Sequence, residues 1–440
     1  MRILHTSDWH LGRTLHGVDL LGHQAAYLDH LVEVVRSEGV GAVLVAGDVY
    51  DRAIPPVDAV NLLSDTVARL AEHADVVLTP GNHDSAIRLG FGASLMRPGV
   101  HFRTRVPDVG APVLLDPASR GGSGGQVAVY AVPYLDPDGV RWELADGCGC
   151  GEPGAPEAHD APAPTAPTAP TAPAAERRPL PRSHEAVTAA AMRRIAADVA
   201  ARRAAGQGER VRNVVMAHAF VVGGQASESE RDIRVGGVDS VPAGVFGGVG
   251  VDYVALGHLH GPQKVSVPSD VSRETTGQGG AGATMARYSG SPLAYSFSEM
   301  HQNKSTVLLD LDATGEARTE LVPAPVPRRL SEVSGTLDEL LGAPGDAYTD
   351  DWLRVFVTDE SRPAEMYARV RGRFPHALQV QHRPPRTAER EVVSVVGSGR
   401  DPLEVTHEFV QHVTGSGPGP TEAAALRTAL ERALASERSA

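Results

Sequence analysis

Lysine is nearly missing from this 440-residue chain: among its 41 basic residues only Lys264 and Lys304 are lysines, and the rest are arginines. With abundant alanine, glycine and proline beside it, that bias reads as the coding habit of a GC-rich genome rather than selection for phosphate recognition. Positive charge is short overall as well, the formal net charge being −13. Non-specific affinity for DNA comes mostly from neutralising phosphates, so a chain with this balance does not wrap DNA by itself. If it acts on DNA, it borrows affinity from a partner and from bound metal. Cysteine is limited to Cys148 and Cys150, too close for a comfortable disulfide and of no assigned role, which excludes a Cys-rich structural zinc site. No stretch approaches the roughly 20 apolar residues that span a bilayer. Met1 and Arg2 lead straight into a hydrophobic strand rather than a signal peptide. The expectation is a soluble, cytoplasmic protein without membrane association, long enough for two or three domains and a large core.

What is present is a series of five short polar motifs, each ending or following a hydrophobic stretch. Asp8, Trp9 and His10 follow Ile3 and Leu4. Gly47 to Asp51, with Asp48, follows Ala42–Ala46. Gly81, Asn82, His83 and Asp84 follow Val76–Leu78. His218 follows Val214–Met216, and Gly257, His258, Leu259 and His260 follow Val254–Leu256. Short β-branched runs ending in polar residues read as buried strands whose carboxyl ends carry a site. Several strand ends that deliver Asp, Asn and His to one edge build a metal centre. Carboxylate, carboxamide and imidazole donors without thiolate suit Mn²⁺, Fe²⁺ or Zn²⁺. There are too many donors for one ion, which points to two metals sharing a bridging carboxylate, roughly 3.5–4 Å apart, clamping the attacking and leaving oxygens of a phosphoryl displacement. Singly, each motif is weak: a Gly-Asp pair after a strand is often a turn, and a lone histidine on a strand is more often a core residue than a ligand. Their order carries the inference.

In that order the motifs resemble the calcineurin-like metallophosphoesterase superfamily. The flanking residues 1–12, 45–51, 287–293 and 296–299 resemble, within it, the SbcD family, nuclease subunits of bacterial SbcCD complexes and relatives of the Mre–Rad repair nuclease. The resemblance covers residues 1–100 and 210–310, thins towards the C-terminus and is absent from about 140–185. It implies that Asp8, His10, Asp48 and His260 hold one metal and that Asp48, Asn82, His218 and His258 hold the second, with Asp48 bridging. It implies two divalent ions, Mn²⁺, activating water for attack on phosphorus. His83 would contact the phosphate or leaving oxygen, stabilising charge or delivering a proton, and Asp84 would orient His83. Asp51 stands where archaeal and eukaryotic relatives often have a histidine and receives no role. The implied activity is a double-strand exonuclease and single-strand or hairpin endonuclease in DNA repair, replication and recombination. The implied assembly is a homodimer within a heterotetramer, with an SbcC-type coiled-coil ABC ATPase as partner and DNA as substrate. The rivals are another calcineurin-like phosphodiesterase or phosphatase, which needs neither a cap nor paired terminal helices, and a silent scaffold, which has no use for this donor set.

The expected fold class is α/β: a two-sheet metallophosphoesterase sandwich flanked by helices over residues 1–322, a small α+β cap over 323–398, and partner-binding helices over 399–440. Periodicity predicts helices over Gln24–Ser37, Ala59–Glu72 and Glu185–Ala204, and strands over Val127–Val132, Arg287–Pro292 and Ser305–Leu311, and the family resemblance implies a further strand over Ile233–Val238. Ala-Pro-Thr repeats within about 145–183 predict a disordered insertion, and residues 270–284 an exposed loop. In the cap, helices are expected over Leu337–Leu341 and Pro363–Phe374, and strands over Leu353–Thr358 and Leu378–Gln381. Asp401 and Pro402 read as a helix start, leading to Val405, Phe409 and Val413. After a break over 415–420, Thr421 opens a second helix bearing Leu426, Leu430 and Leu434, a row suited to docking on a partner.

Overall fold

Runs of apolar residues that do not alternate with polar ones make strands buried on both faces, and the computed structural model arranges them in two stacked sheets. It describes residues 1–120, 125–145, 178–206, 210–231, 233, 240–268, 284–326, 328–385, 402–414 and 416–437. Among these, one six-stranded sheet runs Ala317–Pro323, Ser305–Leu311, Arg2–Thr6, Ala42–Ala46, Asp75–Thr79, Val100–Phe102. The other runs Gln263–Ser266, Met285–Tyr288, Tyr253–Gly257, Arg212–His218, Val127–Ala131, Val113–Leu115. The central strands are parallel in both, as Ile3 opposite Ala42 and Tyr253 opposite Val214 show. Antiparallel strands close three of the four edges, and Val100–Phe102 joins the fourth in parallel.

Ile3, Leu44, Val77, Val129, Val214, Met216 and Leu309 fill the space between the sheets. The outer face of the first sheet is covered by helices Leu21–Ser37 and Val57–His73, through Leu28, Leu31, Leu63 and Leu70. Helix His184–Ala205 covers the second through Val187, Ala191, Ile195 and Val199. These helices stand where the spacing predicts them, each two or three residues longer. The first starts at Leu21 because Asp19 Oδ1 accepts the Leu21 N–H at 2.9 Å. The third is capped by Ser183 Oγ, which accepts the Ala186 N–H at 3.2 Å.

The strand expected over Arg287–Pro292 occupies Met285–Tyr288 instead. Beyond it, polar contacts pull the chain out of the sheet: Ser289 Oγ meets Ser7 Oγ at 2.8 Å, and the Ser291 N–H donates to His260 O at 3.1 Å. Short strands Val100–Phe102, Val113–Leu115 and Gln263–Ser266 escape sequence reading, as do the half-exposed edge strand Ala317–Pro323 and Leu330–Gly335. The latter leads a three-stranded parallel sheet with Trp352–Val357 and Ala377–His382. Helices Leu337–Leu341 and Met366–Arg373 close over a separate apolar cluster that includes Val333, Leu353, Val355, Val370 and Phe374. The second helix starts three residues later than expected, after Glu365 in the left-handed region at φ 53°. Leu15, Leu20, Leu293, Tyr295, Phe297, Leu330 and Trp352 join this unit to the sandwich.

At the C-terminus, helices Pro402–Thr414 and Pro420–Glu437 lie against each other. Phe409 and Val413 remain 65% and 59% exposed, and Leu426 and Leu430 are half-buried. The Leu434 side chain, the Asp401 cap, most of the 145–183 insertion with Cys148 and Cys150, most of the 270–284 loop, and the 233–238 strand beyond Ile233 lie outside the described residues. No described helix is long and apolar enough to cross a membrane.

Candidate metal centre

The carboxyl ends of the five central strands meet at one edge of the sandwich, and backbone pairing continues into the loops beyond them. The Asp8 N–H donates to Gly47 O, and the His10 N–H to Asp48 O, both at 3.0 Å. Asp8, His10, Asp48 and His258 take positive φ angles of 54°, 46°, 49° and 106°. Such conformations cost a non-glycine residue of order 1–3 kcal/mol and persist only where the surroundings over-determine them. Here they turn four side chains inward. The motif glycines have a steric reason: a Cβ on Gly47 would collide with the His218 ring, and one on Gly257 with Ala46 O.

All seven residues expected as metal ligands come together. His10 Nε2 and His260 Nε2 face each other at 3.1 Å, and donors of Asp8, His10 and His260 lie within 4.8 Å of one another. Donors of Asp48, His218 and His258 form a second such group. Asn82 Oδ1 joins the second, 3.0 Å from His218 Nε2 and 3.2 Å from His258 Nδ1. Asp48 faces both groups, its Oδ2 being 3.6 Å from His10 Nε2 and 3.4 Å from His218 Nε2. His83 stands beside them, its Nε2 4.0 Å from Asp48 Oδ2. Buried Asn82 Nδ2 and His83 Nε2 have no hydrogen-bond partner among the described residues.

Charge in this cluster is unbalanced without cations. Burial drives His10 well below its usual pKa and His258 down to about 3, and lifts Asp8 to about 6. Burial alone would raise Asp48, yet His218 and His10 hold it well below the carboxylate range. His218 resists its own burial because Asp48 and Asp8 raise it to about 9. Asp48 and Asp8 thus favour positive charge beside them, and protons and metal cations compete for such donors. The donor set therefore fits a pair of divalent ions.

Residues 1–125 match the family described as Calcineurin-like phosphoesterase, and residues 326–414 match SbcD_C, described as Type 5 capsule protein repressor C-terminal domain. The SbcD nuclease of the SbcCD complex of Bacillus subtilis (strain 168) is 30% identical over 429 residues, 93% of this chain and 90% of that protein. This chain belongs to the SbcD family. It has the calcineurin-like phosphoesterase fold and is a metal-dependent phosphodiesterase of the nuclease kind. The crystal structure of TT1561 of Thermus thermophilus overlaps 74% of this chain and 99% of that one at a TM-score of 0.35 and 15% identity, too loose a likeness to bear on the site.

Within this SbcD-family site, Asp84 departs from expectation. Its carboxylate does not touch the His83 ring; it accepts the backbone N–H groups of Val49, Tyr50 and Gly81 at 3.0, 2.9 and 2.9 Å. Those three donors lie behind the site, and they draw the side chain away from its neighbour. The His83 ring is oriented instead by Nδ1, which donates to Asp51 O at 2.7 Å. Asp84→Ala would leave three part-buried donors unanswered, at about 1–3 kcal/mol per lost partner. The expected outcome is a lowered melting temperature in the metal-free protein, and a melting curve matching wild type would refute the bracing role.

Sequence reading also missed the groups behind His260. Ser229 Oγ meets His260 Nδ1 at 2.6 Å, Glu230 Oε1 accepts the His260 N–H at 2.8 Å, and Lys304 Nζ donates to His260 O at 2.9 Å. Glu299 Oε1 lies 3.3 Å from His260 Nδ1 and also accepts from Ser229 Oγ. The only signal was the polar text at 227–231 and 296–299, which follows no hydrophobic run.

Proposed function

We propose that this protein is a DNA nuclease that holds two Mn²⁺ ions and works in the cytoplasm with an SbcC-type coiled-coil ATPase in DNA end processing, repair, replication and recombination. On this reading it cuts double strands as an exonuclease and single strands or hairpins as an endonuclease. The observation that carries the metal reading is the position of Asp48 between two buried donor groups. Asp8, His10 and His260 would hold one ion; Asn82, His218 and His258 would hold the other, with Asp48 shared. Bound, the ions would supply Lewis acidity and an activated water.

The chain's own residues supply the rest. His218 Nδ1 donates to Ala46 O at 2.9 Å, which fixes its tautomer and turns Nε2 towards the site. The His83 bond to Asp51 O likewise leaves Nε2 open, and the side chain keeps 14% exposure. It can therefore reach a phosphate or leaving oxygen and donate a proton to it.

We divide the chain into the nuclease domain at 1–322, the cap at 323–398, and docking helices at 399–440. Exposed Phe409 and Val413 support docking. Ile54, Val57, Ile87, Phe91 and Leu95, between 68% and 89% exposed, support a homodimer within the heterotetramer. Contiguous apolar surface of this kind marks a contact, and Arg88 ties the two segments by donating to Ala53 O at 3.2 Å.

Truncation before Asp401 is expected to abolish co-purification with the ATPase and ATP-dependent duplex cleavage, while sparing Mn²⁺-dependent hydrolysis of a small activated phosphodiester. Each apolar side chain buried in such a dock contributes roughly 1.5–3 kcal/mol, so affinity should fall by orders of magnitude. Normal co-purification would assign the helices to the protein's own fold. The broader test offers hairpin and linear duplex DNA, small phosphodiesters and phosphomonoesters in Mn²⁺, with and without the ATPase. Preference for DNA supports the nuclease reading; hydrolysis confined to small esters supports the phosphodiesterase or phosphatase alternative.

A further inference from the structure

We propose that Lys304 and Glu299 are positioning residues for His260, and that the basic position requires an ammonium rather than a guanidinium. The proposal rests on the metal reading above. Lys304 is 5% exposed and Glu299 fully buried. Lys304 Nζ reaches four acceptors: Glu299 Oε2 at 2.5 Å, Gln302 Oε1 at 2.7 Å, and His260 O and Ser291 Oγ at 2.9 Å. The other oxygen of Glu299 approaches the His260 ring at Nδ1, directly at 3.3 Å and through Ser229 Oγ. One buried ion pair therefore grips His260 at both ends, by its carbonyl and by its ring. The ring grip fixes Nδ1 and leaves Nε2 aimed at His10, 3.1 Å away.

The residue type matters. Only Lys264 and Lys304 break the use of arginine along this chain, and Lys304 is the one at the metal centre. An ammonium spreads three donors tetrahedrally from one atom; a guanidinium presents a rigid planar fork whose terminal nitrogens lie one atom further out. Here four acceptors on four different residues converge on the single atom Nζ. Beside the pair opens a cleft of about 1090 Å³ between the sandwich and the three-stranded unit, lined by Glu299, Gln302, Lys304, Arg328 and Trp352. An arginine at 304 has room to turn into that cleft, so Lys304→Arg should fold while releasing the His260 carbonyl.

Loss of a partner that orients a metal ligand typically lowers metal affinity by about 10–100-fold. The loss should fall on one ion, the one served by Asp8, His10 and His260. The test is calorimetric Mn²⁺ titration of the full chain, with electron paramagnetic resonance to report the coupled pair, on wild type, Lys304→Arg, Lys304→Met and Glu299→Gln. Metal-free thermal melts run alongside. The expected result is one ion held as in wild type and one weakened about 10–100-fold in Lys304→Arg and Glu299→Gln, with little change in the metal-free melting of Lys304→Arg and a lowered one in Glu299→Gln, which leaves the buried ammonium without its charge partner. If Lys304→Met fails to fold, the other two variants still decide. Wild-type affinity for both ions in Lys304→Arg, or equal weakening of both, overturns the proposal. A wild-type protein that fails to bind two ions overturns the metal reading itself, and the proposal with it.

Discussion

Asp48→Ala is expected to empty both metal positions, whereas Asn82→Ala weakens mainly one. Asp48 Oδ2 approaches His10 Nε2 and His218 Nε2 at 3.6 and 3.4 Å, one from each donor group. Its Oδ1 also accepts the His83 N–H at 2.9 Å, so the same carboxylate sets the spacing of the groups and the position of the loop that carries His83. Asn82 offers one neutral oxygen, directed at His218 and His258. The Asp48 variant should lose more affinity at each position than the roughly 10–100-fold that follows loss of an outer partner. Counting bound Mn²⁺ at a fixed low concentration decides it: equal loss from the two variants would remove the bridging role.

His83→Ala should have the opposite signature, with metal content near wild type and phosphodiester cleavage lowered by about 10²–10⁴-fold, the usual range for a lost proton-transfer group. Its ring is held through Nδ1 to Asp51 O, and its Nε2 has no hydrogen-bond partner among the described residues. The ring lies edge-on to His10, with centroids 4.6 Å apart. If the group protonates a leaving oxygen, a substrate with a good leaving group such as nitrophenolate should be hydrolysed with a smaller loss than DNA. A variant that loses an ion in calorimetry would make His83 a ligand instead.

The strands that carry the site were legible because each is a continuous apolar run stopped by a polar motif, and Asp8, Asp48, Asn82, His218 and His258 sit at those stops. Helices Leu21–Ser37 and Val57–His73 were legible because one face of each is leucine and valine at helical spacing. Ala317–Pro323 was not, since an edge strand carries Arg318 and Glu320 among half-exposed positions and shows little hydrophobic pattern. Leu330–Gly335 hides for a similar reason, with Ser331, Glu332 and Ser334 interrupting it. The contacts of Asp84 with Val49, Tyr50 and Gly81, and of Glu299 with Ser229 and Lys304, depend on how loops fold back across the sandwich. No local spacing encodes which way such a carboxylate turns.

The two donor groups draw on both sheets, and this has a mechanical consequence. Asp8, His10, Asp48 and Asn82 follow strands of the first sheet; His218 ends a strand of the second, and His258 and His260 follow another. Asn82 and His218 are 136 residues apart, and Asp8 and His258 are 250. The proposed ions would therefore act as a clasp on the open edge of the sandwich, fastening distant parts of one polypeptide to each other. Ligand that binds only the folded state adds about 2.7 kcal/mol at a hundredfold excess over its dissociation constant. The edge where the chemistry happens would then be tighter when loaded than when bare, and divalent metal supply would govern how long the protein survives as well as how fast it cuts.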